Sequence, residues 1–202
     1  LNTDFKEEKF DLGRMFGFAY GEKENGAVFS HMAVMYANAL YKRGFIKEGY
    51  KVLKNLLDSA IDFENSVMYP GIPEYFDNDG RGLYAYLTGA ASWYMLTMIT
   101  EVFGVRGELG NLVIRPALLS EQLDEEGKAA IKLKFAGRIL KIIIHADITN
   151  MQENCAVCNE IIKAECDGNE IKSADKMKVI IMKKMIEKMS LEQCHKIDIF
   201  TK

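Results

Sequence analysis

Lys23-Glu24-Asn25-Gly26-Ala27-Val28-Phe29-Ser30-His31 leads directly into a long apolar run beginning at Met32. A Lys-Glu pair, a glycine turn and two apolar residues end on a serine and a histidine. Ser30 is a candidate N-cap, because its hydroxyl is suited to accept an unpaired N–H of a first helical turn. His31 then sits at the positive end of that helix, where free N–H groups and the helix dipole favour an anion. Lys23 adds a charge suited to phosphate or to a sugar hydroxyl. Read locally, the same residues also describe a loop feeding a capped core helix, with His31 satisfied by its neighbours.

Outward from this stretch, Ser30 to Arg43 reads as a helix ended by Gly44. Met32, Ala33, Val34, Met35, Ala37, Ala39 and Leu40 cover nearly its whole circumference, which predicts burial on most sides. Ile46 to Ile61 is amphipathic, with Ile46, Tyr50, Leu53, Leu57 and Ile61 at helical spacing and Lys47, Lys51, Lys54 and Asp58 facing out. A buried helix followed by a solvent-facing one suggests two concentric helical layers. Residues 1–29 form a polar lead-in punctuated by Gly13, Gly17, Gly21 and Gly26, and Phe16, Phe18 and Tyr20 between them pack or line a cleft. Tyr69 to Gly82 reads as a long loop, and loops of this length inside a domain are often functional. Leu83 to Phe103 reads as a second, almost wholly apolar helix, with Gly89 near its start where a ligand or close packing excludes a side chain.

After Gly104 the period changes. Leu112–Ile114 is a short strand stopped by Pro116, and Ile131–Phe135 alternates cleanly before Gly137 turns the chain into Ile139–Ile148. Asp167-Gly168-Asn169 is a hairpin signal, and Lys178–Met182 and Lys196–Phe200 complete the strands. Met182–Met189 is compatible with a helix as well. The pattern predicts an α+β chain by segments, with a helical domain over 1–106 and an antiparallel β domain over 107–202.

The totals exclude several classes. The chain has 202 residues, 49% hydrophobic and 27% charged, with net charge −3. That balance fits a soluble globular protein and argues against a nucleic-acid surface or polybasic membrane patch. Leu83 to Thr100 is uncharged, but its Thr, Ser, Gly and Tyr content suits a buried helix better than a membrane span. Cys155 and Cys158 have CxxC spacing, with Cys166 and Cys194 downstream, which opens redox or metal chemistry. The Cys158–Cys166 interval fits no standard zinc finger, so reduced cysteines in a cytoplasmic protein, without a metal, are expected. No signal-peptide pattern is present, and because the sequence begins with Leu1 rather than methionine, a natural start upstream is expected.

Lys23-Glu24-Asn25-Gly26 with Phe29-Ser30-His31, then Tyr86-Leu87-Thr88-Gly89-Ala90-Ala91-Ser92-Trp93, then Phe103-Gly104-Val105-Arg106-Gly107 together resemble the C-terminal third of glycoside hydrolase family 94. This family contains the cellobiose, chitobiose and related disaccharide phosphorylases. The resemblance covers roughly residues 10–150. With Tyr69-Pro70-Gly71-Ile72-Pro73-Glu74-Tyr75, the string looks most like the 1,2-β-oligoglucan (sophoro-oligosaccharide) phosphorylases.

The resemblance implies the last helices of an (α/α)6 barrel followed by a jelly-roll-like antiparallel β-sandwich. It implies an inverting glycosyltransferase that uses inorganic phosphate as co-substrate, without a cofactor, to cleave a β-linked glucose oligosaccharide. His31, Thr88 and Gly89 take the phosphate-binding positions; Lys23 and Glu24 match sugar contacts. Glu74 stands where the cellobiose enzymes carry a phosphate-contacting glutamine, and a carboxylate there repels phosphate, so Glu74 is expected to bind sugar, a lysine or water, or to be protonated. The family's proton-donating aspartate belongs to an upstream motif with no counterpart here, so no catalytic residue is assigned. The chain then reads as a fragment or one subunit of a pair, partnered by an N-terminal remainder or complementary subunit, with a homo-oligomer also allowed. The competing reading is a non-catalytic carbohydrate-binding or remnant module on the same fold.

Overall fold

The computed structural model describes residues 4, 6–7, 9–11, 13–69, 71–85, 89–147, 160–171 and 175–202. The chain divides into two compact units, Leu1–Thr97 and Met98–Lys202. It is an α+β chain by segments, helical first and strand-rich after, and no helix among the described residues is long and apolar enough to cross a membrane.

In the first unit, β1 (Val28–Phe29) runs straight into α1 (Ser30–Lys42), and α2 (Ile46–Ile61) follows after Gly44. α1 and α2 form a hairpin so close that a Cβ on Gly49 would lie 2.6 Å from Tyr41 Cδ2. A short helix α3 (Phe63–Ser66) is capped by the Asp62 carboxylate, which accepts the Asn65 N–H. Two further strands, β2 (Tyr75–Phe76) and β3 (Gly82–Leu83), join β1 in a small antiparallel sheet of order β1-β2-β3. The last element is α4 (Gly89–Thr97), tied to α1 by the buried Asn38 amide donating to Thr97 Oγ1 at 3.1 Å.

Three local readings change. Leu83 is not helical: it pairs with Tyr75 in β3, and Tyr84 beside it has a positive φ of 62°, which no helix continues through. Ser30 is not the N-cap but the first helical residue; Phe29 occupies the cap position and no side chain caps the turn. α1 is buried only along Ser30, Val34, Ala37, Asn38 and Tyr41, leaving Met32, Met35 and Tyr36 exposed. An all-round apolar helix needs partners on every side, and α2 and α4 supply two.

The second unit begins with a π-helical turn over Met98–Val102, in which the buried Glu101 pairs with Arg106. β4 (Val105–Glu108), β5 (Asn111–Ile114) and β10 (Val179–Ile181) form an antiparallel sheet in the order β10-β5-β4. Gly104 permits its entry: a Cβ there would lie 1.7 Å from the Arg115 carbonyl oxygen. The larger sheet contains β6 (Lys128–Phe135), β7 (Arg138–Ala146), β8 (Ile161–Cys166), β9 (Asn169–Glu170) and β11 (Cys194–Thr201), in the order β6-β7-β11-β8-β9. The expectation of a purely antiparallel arrangement is corrected at one joint, because β11 runs parallel to β7 and antiparallel to β8. The C-terminal strand is inserted between two earlier ones, so its Ile197 and Ile199 sit beside Ile142 and Ile144, all fully buried. The helical option for Met182–Met189 is realised in α5 (Lys183–Lys188).

Cys155 and Cys158 lie outside the described residues. Cys166 is buried, and burial pushes its thiol up to about 11, far from a reactive thiolate. Cys194 is exposed. Among the described residues no cluster of three or more His, Cys, Asp or Glu is placed to hold a metal.

Beside Cys194, the buried His195 has an acceptor on each ring nitrogen: the Asp167 carboxylate at 2.6 Å from Nδ1 and the Ser190 carbonyl at 3.1 Å from Nε2. Both contacts require N–H, so the ring is held as imidazolium. Its pKa is raised, chiefly by the hydrogen bond to Asp167 and against desolvation. A group raised on folding stabilises fully below its unfolded value, near 6.5, and that contribution is lost as pH climbs through the folded value. The thermal midpoint of the second unit should therefore fall from about pH 6.5 upward. His195→Gln should flatten that slope, and an unchanged pH profile would contradict the assignment.

Candidate functional site

All described candidate residues lie in the first unit. Lys23-Glu24-Asn25-Gly26 forms the tip of a tight turn closed by Gly21 N–H donating to the Asn25 carbonyl at 2.7 Å and by the Glu22–Asn25 bridge. The buried Asn25 anchors the turn by donating its amide to the Phe18 carbonyl at 2.7 Å. Gly26, at φ 98°, is held under the Tyr20 ring, where a Cβ would approach to 2.7 Å. Lys23 itself takes a positive φ of 41°, a strained backbone for lysine that fixes the direction of its side chain.

The Lys23 ammonium lies 4.4 Å from the centroid of the Tyr84 ring and 5.8 Å from that of Phe18. Its pKa is raised, first by a hydrogen bond with Tyr84, with the Glu74 charge adding to the effect. Glu24 places Oε1 3.6 Å from Arg14, while its buried Oε2 has no hydrogen-bond partner among the described residues. Glu74 is half-buried and held by its backbone: its N–H is shared between the Leu83 and Tyr84 carbonyls, and its carbonyl accepts the Ser30 N–H at 3.0 Å. This last bond is how the small sheet fixes the start of α1 beside Glu74. Tyr75 donates to Glu22 at 3.5 Å and is pushed up to about 12, chiefly by burial.

His31 and Gly89 come together. Gly89 opens α4 and His31 is the second residue of α1, so the ring joins two helix N-termini. A Cβ on Gly89 would meet His31 Cε1 at 2.5 Å, Nδ1 at 2.8 Å and Nε2 at 2.9 Å. A side chain at residue 89 would have to displace the imidazole from that space. One turn further along α4, Trp93 also lies near the ring, with centroids 5.8 Å apart. His31 Nε2 is buried and has no hydrogen-bond partner among the described residues; Ser30 Oγ is in the same condition. A buried polar atom without a partner is rare in native proteins and calls for a ligand, ion or water. Two converging helix dipoles favour an anion as that ligand.

Thr88 lies outside the described residues. The sequence singled out His31, Gly89, Lys23, Glu24 and Glu74; the structure brings His31 to Gly89, and Glu74 within electrostatic range of Lys23. It adds Tyr84, which was absorbed into the expected helix, and Arg14. The one signal for Tyr84 was an aromatic hydroxyl beside a glycine-bounded loop.

No protein-family model matches the chain. Over 141 residues, 59% of the chain, it is 29% identical to the cellobionic acid phosphorylase of Neurospora crassa, covering 18% of that protein. Over 170 residues, 79% of the chain, it is 24% identical to the cyclic β-(1,2)-glucan synthase NdvB of Rhizobium meliloti, covering 6% of that protein. The chain shares partial, distant similarity with carbohydrate-active proteins. It spans less than a fifth of the length of these curated relatives. The similarity supports a family 94-like relationship loosely and does not single out the 1,2-β-oligoglucan phosphorylases.

The His31–Gly89 contact has a direct test. Gly89→Ala should displace the imidazole, shifting the His31 ring resonances and the Trp93 fluorescence while the helical circular dichroism is retained. Unmoved His31 resonances in a folded variant would contradict the contact.

Proposed function

We propose that this chain is the C-terminal part of an inverting glycoside phosphorylase acting on β-glucosidic, preferably β-1,2-linked, oligosaccharides. The observation that carries the reading is the buried Nε2 of His31, which has no hydrogen-bond partner among the described residues and is set against Gly89. That arrangement suits an oxyanion, and the partial similarity to a phosphorylase makes inorganic phosphate the anion of choice.

In this reading His31, Thr88 and the backbone of Gly89 hold the phosphate. An imidazole N–H, a hydroxyl and a peptide N–H orient an oxyanion without competing with it as nucleophiles. A phosphate oxygen attacks the anomeric carbon of the terminal glucose from the face opposite the glycosidic bond. The carbon–oxygen bond breaks as a carboxylic acid delivers its proton to the departing oxygen, giving α-glucose 1-phosphate and a shortened oligosaccharide. That acid is supplied from outside these 202 residues. Lys23 donates to a sugar hydroxyl, and Glu24 accepts through the oxygen left unpartnered among the described residues. Glu74 belongs on the sugar side, because its charge repels phosphate and is drawn to Lys23.

The exposed apolar residues of α1 and α4 support a part rather than a stand-alone module. Met32 is 65% exposed, Tyr36 59% and Met95 61%, side chains that a completed helical layer would cover.

In the complete enzyme, His31→Ala should raise the phosphate KM and lower phosphorolysis by roughly ten- to a hundredfold, as expected for losing a charge-assisted hydrogen bond. Glu74→Gln should act on the sugar KM and leave the phosphate KM nearly unchanged. Full phosphorolysis by the His31→Ala enzyme would overturn the assignment. Sugar binding without phosphorolysis in the complete protein would favour a carbohydrate-binding module instead.

A further inference from the structure

A separate cleft of about 350 Å³ opens in the first unit between α2 and the turn joining β2 to β3. Its size falls within the ~300–1,000 Å³ typical of small-molecule clefts. The floor is aliphatic and aromatic, with Val28, Leu56 and Phe76 contributing. Val28 is 55% exposed even though it lies on a strand, so the floor is open to an occupant.

The rim is polar and neutral. Asn55 and Ser59 stand four residues apart on α2, on the same face as Leu56. Asn78 faces them from the turn. Among the described residues none of these three side chains has a hydrogen-bond partner, although all three are exposed at the cleft. The turn that presents Asn78 is stiff: Asp77 Oδ1 accepts the Asp79 N–H at 3.0 Å and the Arg81 N–H at 2.9 Å, and Gly80 N–H closes on the Asp77 carbonyl. Asn78 also packs on the Gly21 backbone, where any Cβ would come within 2.4 Å of its Oδ1. Its amide is therefore positioned before any ligand arrives.

The charge pattern narrows the ligand. Among the described residues no Lys, Arg or His lines the cleft, and its single ionisable group is the Asp77 carboxylate. Phosphate and other anions are disfavoured there. Two amides, a hydroxyl and a carboxylate around an apolar floor suit a ligand with many hydroxyls and one C–H-rich face. We propose that this cleft binds a neutral pyranose unit of a glycan, as a second carbohydrate site distinct from the one at Lys23 and His31. The proposal rests on the carbohydrate part of the functional reading but uses neither His31 nor phosphate.

The test is a titration of the full chain, without phosphate, with glucose, cellobiose and a β-1,2-linked glucotriose, followed by amide NMR. Saturable shifts should appear at Asn55, Ser59 and Asn78. The Asn55→Ala/Asn78→Ala chain should bind about tenfold or more weakly, as two lost hydrogen bonds imply. Ser59→Trp, which fills the cleft from an exposed helix position, should abolish these shifts, while His31→Ala should leave them intact. Shifts confined to the Lys23–His31 stretch would overturn the second site and leave the phosphorylase reading standing. Shifts at the cleft alone would support the second site and count against the sugar roles of Lys23 and Glu24. No saturable shift with any of the three sugars would overturn the proposal.

Discussion

The packing of the His31 imidazole against Gly89 is the contact around which the starts of α1 and α4 are arranged. The His31 imidazole fills the volume that a Cβ would take, within 2.5–2.9 Å of where that atom would sit. Because Gly89 opens α4 and His31 lies in the first turn of α1, a single ring sets the spacing of two helix starts. Further along the same helices, Asn38 and Thr97 make a buried hydrogen bond that holds the pair in register. Glycine at a helix start forgoes up to about 1 kcal/mol of helix propensity relative to alanine. Here that loss leaves room for a buried imidazole whose Nε2 has no hydrogen-bond partner among the described residues.

The loops around this contact are organised by the three-stranded sheet of β1, β2 and β3. Two non-glycine residues with positive φ, Lys23 and Tyr84, flank it in sequence, and the ammonium of one rests over the ring of the other. Backbone strain of this kind persists only where surrounding structure imposes it, and it is concentrated at functional sites. The Ser30 N–H bonded to the Glu74 carbonyl then transmits the position of the sheet to the start of α1. Glu74, Tyr84 and the start of α1 that carries His31 are thus tied to one short strand ladder.

How far these features were legible varies with their range. α2 was read to the residue, because a helix with one wet and one dry face announces its period. The 131–135 alternation, the 167–169 turn and the strand before Pro116 were legible for the same reason. Leu83 was misread since a two-residue strand inside an apolar run has no period of its own. The parallel joint between β7 and β11 was invisible because register between distant strands is set by packing of Ile142 and Ile144 against Ile197 and Ile199, not by local pattern. At the site, Gly89 signalled that something excludes a side chain, but nothing local said that the occupant is His31. Tyr84 was missed with the strand that precedes it.

The central claim, that His31 and Gly89 together hold an oxyanion, is tested most directly by ¹⁵N NMR of the imidazole during titration with inorganic phosphate. The account predicts a saturable displacement of the His31 Nε2 resonance together with the Gly89 amide, and its loss in a Gly89→Val chain. Phosphate that leaves both resonances in place, at concentrations where it shifts other groups of the chain, would contradict the account.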